Sequence, residues 1–372
     1  MNILITGNKG FIGQHLENTI NHLNFSNYKL IRFSKKDFKN KKLLDDKVKK
    51  STVIVHLAGI NRHEDQSLIY DLNMGLSHQL VNSIKRVGFK GKLIFSSSIQ
   101  ESLNNSYGRS KKDSRSLFIN ESKLNGFIFS GLILPNVYGP FGKPNYNSFI
   151  PTFCQKICSG KTVEIIKNSE IPLIYIDTVI NIIINEIENK DSNFEIQINP
   201  EKIISVKEVK DKLVKFKKEY TDNFIIPNIE SDFDLNLFNT FRSYIDINTF
   251  FPIPHSENID KRGNFVEVLR SNSKGQYSYS TTGPNITRGN HFHRKKIERF
   301  SVIKGESIIQ LRKIGSDKIF EYKLSGKNPS FVDMPVWYAH NIKNIGDDEL
   351  ITLFWTNDPY DVNNPDTYIE KV

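Results

Sequence analysis

Met1-Asn-Ile-Leu-Ile-Thr-Gly7-Asn-Lys-Gly10-Phe-Ile-Gly13 is the stretch on which the reading of this chain turns. Its apolar run from Ile3 to Ile5 stops at Gly7, glycines follow at three-residue intervals, and from Phe11 to Leu16 the apolar spacing becomes helical. The pattern predicts a strand, a tight turn and a helix. Gly7 permits the turn, Gly10 lets backbone N–H groups come close to a pyrophosphate, and Gly13 lets the helix lie close on the strand with its positive end toward the anion. A dinucleotide is therefore expected on the turn formed by Gly7, Lys9, Gly10, Phe11, Ile12 and Gly13.

Outward from this turn, Tyr28-Lys-Leu-Ile-Arg32-Phe33 reads as the second strand. An acid at its end would bond the adenosine ribose hydroxyls and repel a 2′-phosphate, but here Arg32, Ser34, Lys35 and Lys36 come first and Asp37 only beyond. Cations and a hydroxyl favour NADPH. The β-branched run from Val53 to His56 reads as a buried parallel strand, and Leu57, Ala58 and Gly59 at its end leave room for the cofactor, with Asn73 following on an amphipathic helix. Lys92 to Ser98 gives a further buried strand that finishes in three hydroxyls, and the alternation of strands and helices argues for a doubly wound parallel sheet.

Tyr107-Gly-Arg-Ser-Lys111 places a phenol and an ammonium one helical turn apart. The cation favours phenolate and is expected to lower the tyrosine pKa toward a value useful for proton transfer. Reduction of a ketone needs hydride at carbon and a proton at oxygen, so Tyr107 is the expected proton source and Lys111 its partner beside the nicotinamide ribose. A serine at the end of the preceding strand, one of Ser96, Ser97 and Ser98, can polarise the same carbonyl.

With the three-glycine turn, Ala58-Gly59, the triple serine and the Tyr-x-x-x-Lys pair, residues 1 to about 240 resemble the extended short-chain dehydrogenase/reductases that act on nucleotide sugars. Pro135-Asn136-Val-Tyr-Gly-Pro140 adds to the likeness, and the resemblance implies that Ser97 or Ser98, late in the serine cluster, is the catalytic hydroxyl and that Asn136 and the loop carrying Lys143 and Asn147 approach the sugar nucleotide. From Val206 to Tyr220 the apolar positions Val209, Leu213, Val214 and Phe216 are expected to share a helical face completing the substrate-side lobe. The polar, proline-punctuated stretch that follows puts the boundary near residues 244 to 252, giving a reductase domain over 1–245 and a second domain over 252–372.

Beyond Pro254 the period changes to short strands separated by Gly, Asn, Asp and Pro turns, which predicts an antiparallel barrel or sandwich. Within it, His291-Phe-His293 alternates along one strand, Glu298 opens the next, and His340 arrives from a third. Three imidazoles and a carboxylate suit zinc or another divalent ion. These residues closely resemble the two cupin motifs, with Trp337 standing where the second motif has glycine. Asp260-Lys-Arg262-Gly-Asn-Phe265-Val-Glu267 and Arg288-Gly-Asn-His291 are similar to segments of the cupin-fold 3,5-epimerases of 4-keto-6-deoxy nucleotide sugars. That likeness implies that Arg262, Phe265, Glu267 and Arg288 hold the substrate. In those enzymes the equivalent of His291 is the base, and His291 cannot both ligate a cation and serve freely as that base, so either the metal polarises the 4-keto oxygen while another residue removes the proton, or the metal is structural or weakly held.

Reductase and cupin together resemble the CapF/WbjC family of capsule and O-antigen synthesis, over essentially the whole chain and including Asn364-Pro-Asp366-Thr-Tyr368. The resemblance implies a bifunctional, homodimeric enzyme on the route to UDP-N-acetyl-L-fucosamine. Its cupin would epimerise C3 of a UDP-4-keto-6-deoxy-HexNAc, and its reductase would reduce C4 with NADPH to UDP-2-acetamido-2,6-dideoxy-L-talose. Two rival readings are a dehydratase or 4-epimerase with recycled NAD(P), and a reductase whose cupin merely binds sugar or dimerises.

Composition sets the outer limits. A chain of 372 residues has room for two cores, and its net charge of +10 is spread among interspersed acids, which reads as a solvated surface rather than a nucleic-acid interface. A modest positive field suits anionic nucleotide sugars. No run of about twenty apolar residues and no leader pattern occurs, so no membrane partner and a cytoplasmic location are expected. Cys154 and Cys158 read as buried thiols.

Overall fold

Short β-branched and leucine-rich runs, apolar on both faces, form the centre of the N-terminal sheet because only a parallel sheet covered on both sides buries such strands completely. In the computed structural model, which describes residues 1–372 apart from Asn24 and Asn147, Ile54, Val55, Leu93 and Ile94 have no solvent exposure. Strands β1 (Asn2–Thr6), β2 (Lys29–Ile31), β3 (Val53–His56), β4 (Lys92–Ser98), β5 (Ile128–Leu134) and β8 (Asn193–Gln197) pair in the order β2-β1-β3-β4-β5-β8, all parallel. Helices α1 (Phe11–His22), α2 (Lys41–Lys50), α3 (Leu68–Val87) and α4 (Ser106–Asn125) connect them. The order reverses between β1 and β3, and ligands of such sheets bind in the crevice at that switch. The glycine turn stands there. A small sheet of β6 (Asn136–Tyr138), β7 (Glu170–Tyr175) and β9 (Lys202–Ser205) follows, with α5 (Phe149–Cys158) and α6 (Ile176–Glu188).

The C-terminal strands alternate inward apolar and outward polar residues. They form two five-stranded sheets, β10 (Ile253–Pro254), β18 (Ser330–Met334), β15 (Glu298–Lys304), β20 (Leu350–Thr356) and β13 (Gln276–Thr282) in one, and β17 (Ile319–Ser325), β16 (Glu306–Lys313), β19 (Tyr338–Asn344), β14 (Thr287–Phe292) and β21 (Tyr368–Ile369) in the other. Val302, Ile309, Leu311 and Leu350 are fully buried between them. A separate hairpin, β11 (Glu257–Asp260) with β12 (Gly263–Val266), is exposed along nearly its whole length.

By compactness the chain divides into Met1–Thr152 with Ile165–Val206, and Phe153–Glu164 with Lys207–Val372. This division does not coincide with the expected boundary near 244–252, since α7 (Val206–Phe216), α8 (Asp232–Arg242) and α9 (Ile247–Phe250) fall with the barrel sheets. A buried polar network accounts for the grouping. Arg299 pairs with Asp333 through two bonds of 2.7 and 2.9 Å, Tyr220 donates to the same carboxylate at 2.7 Å, and Arg299 also reaches the Phe224 carbonyl at 3.0 Å. All three side chains are buried, so neither charge is tolerated without the helical segment that completes its bonding. On α7, Val209, Leu213 and Phe216 are buried as expected, but Val214 is 47% exposed, because one helical step from Leu213 turns it off the buried face. No helix of the described residues is long and apolar enough to cross a membrane.

Candidate reductase site and metal centre

The glycine turn is held by close backbone contacts. Gly7 has φ +76°, and a Cβ there would meet the Ala58 nitrogen at 2.7 Å, while one on Gly13 would lie 2.3 Å from the Gly7 carbonyl oxygen. Side chains are excluded at both positions. Gly10 caps α1 with its own N–H bonded to the Gly7 carbonyl at 2.8 Å. Lys9 is exposed at the tip, and Phe11 and Ile12 are half-buried in the first helical turn. The arrangement leaves helix N–H groups facing the switch crevice, which is the fit a pyrophosphate needs.

Past β2, Arg32, Ser34, Lys35 and Lys36 are all exposed. Asp37 is turned inward, where its carboxylate accepts from the Ser34 amide and the Lys47 ammonium, each at 2.6 Å. Burial alone would push its pKa up, but these bonds outweigh it and hold the carboxyl below its ordinary value. Its charge is therefore spent on Lys47.

Leu57, Ala58 and Gly59 follow β3 at the crevice. Asn73 on α3 clamps the next residue, accepting from the Ile60 amide and donating to the Ile60 carbonyl, both at 2.8 Å, and donating to Ser110 at 2.9 Å. A Cβ on Gly59 would lie 3.4 Å from the Asn73 carbonyl oxygen and 3.5 Å from the Lys111 ammonium, so all three border one space.

Asn105 caps α4 by accepting from the Gly108 amide at 2.7 Å, which puts Tyr107 in the first turn and Lys111 one turn on. Only eight residues separate Ser98 from Tyr107, and the 3₁₀ turn Ile99–Ser102 takes up half of that gap. Gly108 lets α4 pack on this turn, since a Cβ there would meet the Gln100 carbonyl at 2.0 Å. The two candidate serines diverge. Ser98 places its hydroxyl against the Tyr107 phenol, whereas the Ser97 hydroxyl donates to Glu101, itself clamped by Arg115 at 2.7 Å. Adjacent strand residues point to opposite faces, which is the reason for the split.

The expected depression of the Tyr107 pKa is absent. Burial pushes the phenol up to about 12, with the Ser98 hydroxyl pulling only partly back. Lys111 donates to the Ser96 carbonyl at 2.8 Å and lies 5.8 Å from the Tyr107 ring centre, and burial lowers its own pKa to about 8. Desolvation outweighs the cation in this site. Tyr146, absent from the sequence reading, is close enough to Tyr107 to act on its charge and stacks under the Lys143 ammonium at 5.4 Å. Asn136 bonds the Pro172 carbonyl at 3.1 Å, and Asn147 lies outside the described residues.

In the barrel, His291, His293, Glu298 and His340 converge with one ligand atom from each lying within 4.8 Å of the others. His291 pairs opposite His340 across β14 and β19, after a bulge at Gly289-Asn290 where both residues take positive φ. A Cβ on Gly289 would meet the His340 carbonyl oxygen at 2.8 Å, so glycine lets the strands close there. The Glu298 carboxylate lies 3.1 Å from His293 Nε2 and 3.2 Å from His340 Nε2. Burial, with the neighbouring histidines, pushes His291 down to about 3, leaving a neutral imidazole with a lone pair for a cation. Three imidazoles and a buried carboxylate aimed at one point fit a zinc-type ion. Trp337, in the place of the motif's glycine, adopts glycine's left-handed backbone at φ +62° and is held by stacking on Phe292 at 5.5 Å.

Arg262, Phe265 and Glu267 are not gathered with this cluster. They lie on or just after the exposed hairpin, Arg262 bonded to Asp260 and Glu267 to Arg270, and Arg288 is also exposed. A hairpin without a core of its own explains why one chain leaves them in solvent.

The NAD dependent epimerase/dehydratase family matches residues 3–199, and the polysaccharide biosynthesis C-terminal domain matches residues 258–368. The UDP-2-acetamido-2,6-beta-L-arabino-hexul-4-ose reductase of Pseudomonas aeruginosa is 32% identical over 99% of this chain and 98% of its own length. The spore coat polysaccharide biosynthesis protein SpsL of Bacillus subtilis is 25% identical over 29% of this chain and 78% of its own. Among solved structures, the capsular polysaccharide assembling protein CapF of Staphylococcus aureus is 33% identical, covers 100% of both chains and superposes with a TM-score of 0.63. The chain belongs to the NAD dependent epimerase/dehydratase family and, along its whole length, to the two-domain group of the Pseudomonas reductase and CapF.

Proposed function

We propose that this chain is a bifunctional nucleotide-sugar enzyme. Its barrel epimerises C3 of a UDP-4-keto-6-deoxy-HexNAc, and its N-terminal domain then reduces C4 with NADPH to UDP-2-acetamido-2,6-dideoxy-L-talose. The observation that carries the reading is the presence, in one chain, of the Ser98-Tyr107-Lys111 constellation and the His291-His293-Glu298-His340 cluster. The name of the Pseudomonas relative supports the substrate. A ketone at C4 acidifies the C3 proton, so epimerisation precedes the reduction that removes the ketone.

In the reductase, Gly7, Gly10 and Gly13 take the pyrophosphate, and Arg32 and Ser34 meet the 2′-phosphate, with Asp37 neutralised by Lys47. Bound NADPH supplies the hydride. Tyr107, protonated at neutral pH, gives its proton to the C4 oxygen, and Ser98 hydrogen-bonds the same oxygen. Lys111 holds the ribose and Asn73 fixes the floor of the pocket. In the barrel His291, His293, Glu298 and His340 would hold a divalent metal, zinc by ligand type, which would supply a Lewis acid for the 4-keto oxygen. Asn136 and Lys143 contact the nucleotide sugar in the reductase, and Arg262, Phe265, Glu267 and Arg288 do so in the barrel. The exposed β11–β12 hairpin supports a homodimer, since an isolated hairpin of this kind is marginally stable without a covering surface.

The test is one incubation in heavy water with the UDP-4-keto-6-deoxy-HexNAc and NADPH, following cofactor oxidation and product mass. Cofactor consumption with a solvent deuteron at C3 is expected. Consumption without deuterium reduces the barrel to a binding or dimerising module, and no consumption removes the reductase assignment for this substrate.

A further inference from the structure

The segment Asn364–Tyr368 enters neither half of the proposed reaction, yet it is bonded to the cluster. The Asp366 carbonyl lies 2.5 Å from His293 Nδ1, and a carbonyl can only accept, so Nδ1 carries the proton and Nε2, 3.1 Å from the Glu298 carboxylate, is the nitrogen left to take a metal. The Asp366 carboxylate accepts from three successive amides, Arg294 at 3.1 Å, Lys295 at 2.8 Å and Lys296 at 2.9 Å. Those amides form the turn between His293 and Glu298. β21 pairs with β14 at His291 and Phe292, and Tyr368 stacks on Phe292 at 5.2 Å, which holds the tail against the strand of ligands. His340, by contrast, has its Nδ1 3.2 Å from the Tyr338 carbonyl on its own strand.

We propose that Asp366 is a positioning residue of the barrel's metal centre: its carbonyl sets the tautomer of His293, and its carboxylate folds the turn that brings His293 to Glu298. The inference rests on the metal reading above. Outer partners of this kind orient ligands and tune affinity. Asp366 reaches the site with a left-handed backbone, φ +42°, which asparagine also adopts readily. Asp366→Asn therefore keeps shape and backbone while replacing an acceptor oxygen by a donor, and Asp366→Ala removes all three carboxylate bonds.

The experiment strips metal from full-length wild type, D366N and D366A, titrates zinc against a chromogenic chelator at fixed pH, and melts the stripped proteins in parallel. Zinc affinity is expected to fall about 10–100-fold in D366A, with D366N between it and wild type. Unchanged zinc affinity in both variants overturns the proposal, even if D366A melts earlier, because the role would then be purely structural. If D366A does not fold, D366N decides by the same criterion. A wild type that binds no zinc overturns the metal reading and this inference with it.

Discussion

The reductase site and the barrel cluster use burial to opposite chemical ends. Desolvation disfavours the charged form of any group. At Tyr107 it keeps a phenol protonated, with a pKa of about 12, and a protonated phenol is an acid for a reduction. At His291 it keeps an imidazole neutral, with a pKa of about 3, and a neutral imidazole is a ligand. The sites also differ in construction. The first is largely backbone, with glycines brought within 2.3 to 2.9 Å of neighbouring main chain if they carried a Cβ, and its parts lie on consecutive elements. The second is made of side chains from three strands and a turn, gathered by long-range pairing.

The largest effect that could break this comparison is at Tyr107. Tyr107→Phe removes the proton donor and little else, so C4 reduction is expected to slow by about 10²–10⁴-fold. Solvent deuterium should still enter C3, because the barrel is untouched. Loss of exchange together with reduction would mean the two chemistries share a site. The reciprocal variant, His340→Ala, removes a ligand outright and should weaken zinc by more than the roughly 10–100-fold that outer partners cost. Exchange at C3 should be lost while NADPH oxidation with a preformed epimer persists.

How far each site was legible follows from its construction. Backbone-built chemistry leaves a local signature, because no other residue fits where a Cβ would strike main chain; Gly7, Gly13 and Ala58 could be placed from the first strands alone. The doubly wound sheet followed from the same runs. Tyr107 and Lys111 were readable as a pair, but their protonation was not, since spacing gives proximity and not desolvation. Ser97 and Ser98 could not be separated until the 3₁₀ turn fixed which hydroxyl faces the phenol. The convergence of His291, His293, Glu298 and His340 was readable because these residue types are rare in combination, whereas Asp366 is bonded to the cluster through a carbonyl and three amides, which carry no side-chain signature. By compactness α7 and α8 group with the barrel sheets, and this grouping has no local signature because Arg299, Asp333 and Tyr220 lie far apart in sequence. Trp337 looked like a defect in a motif, and the structure shows a bulky residue taking glycine's backbone with stacking in compensation.

A smaller effect sharpens the reductase half. In the proposed reduction Lys111 acts as an ammonium, and burial lowers its pKa to about 8, so its charged fraction falls as pH rises through that value. The kcat/KM for C4 reduction, which reports free-enzyme groups, should decline about tenfold per pH unit above it. Glu101 opposes that shift by favouring the charged amine. Glu101→Gln should therefore move the alkaline limb to lower pH, and an unmoved limb would assign it to another group.

The smallest expected effect lies at the exposed end of β2. In the proposed mode of binding the backbone cradle of the glycine turn takes the pyrophosphate common to NADH and NADPH and cannot separate them, which leaves the preference to side chains such as Arg32 and Ser34. An exposed charge contact is worth no more than about 1 kcal/mol. Arg32→Ala should accordingly raise the KM for NADPH by roughly fivefold and leave that for NADH unchanged, as measured by initial rates with each cofactor. Asp37 does not oppose the phosphate while Lys47 holds it, so Lys47→Ala should lower NADPH preference further by freeing a carboxylate beside Ser34. Equal changes for both cofactors in Arg32→Ala would place this residue away from the 2′-phosphate and return the choice of cofactor to the backbone turn.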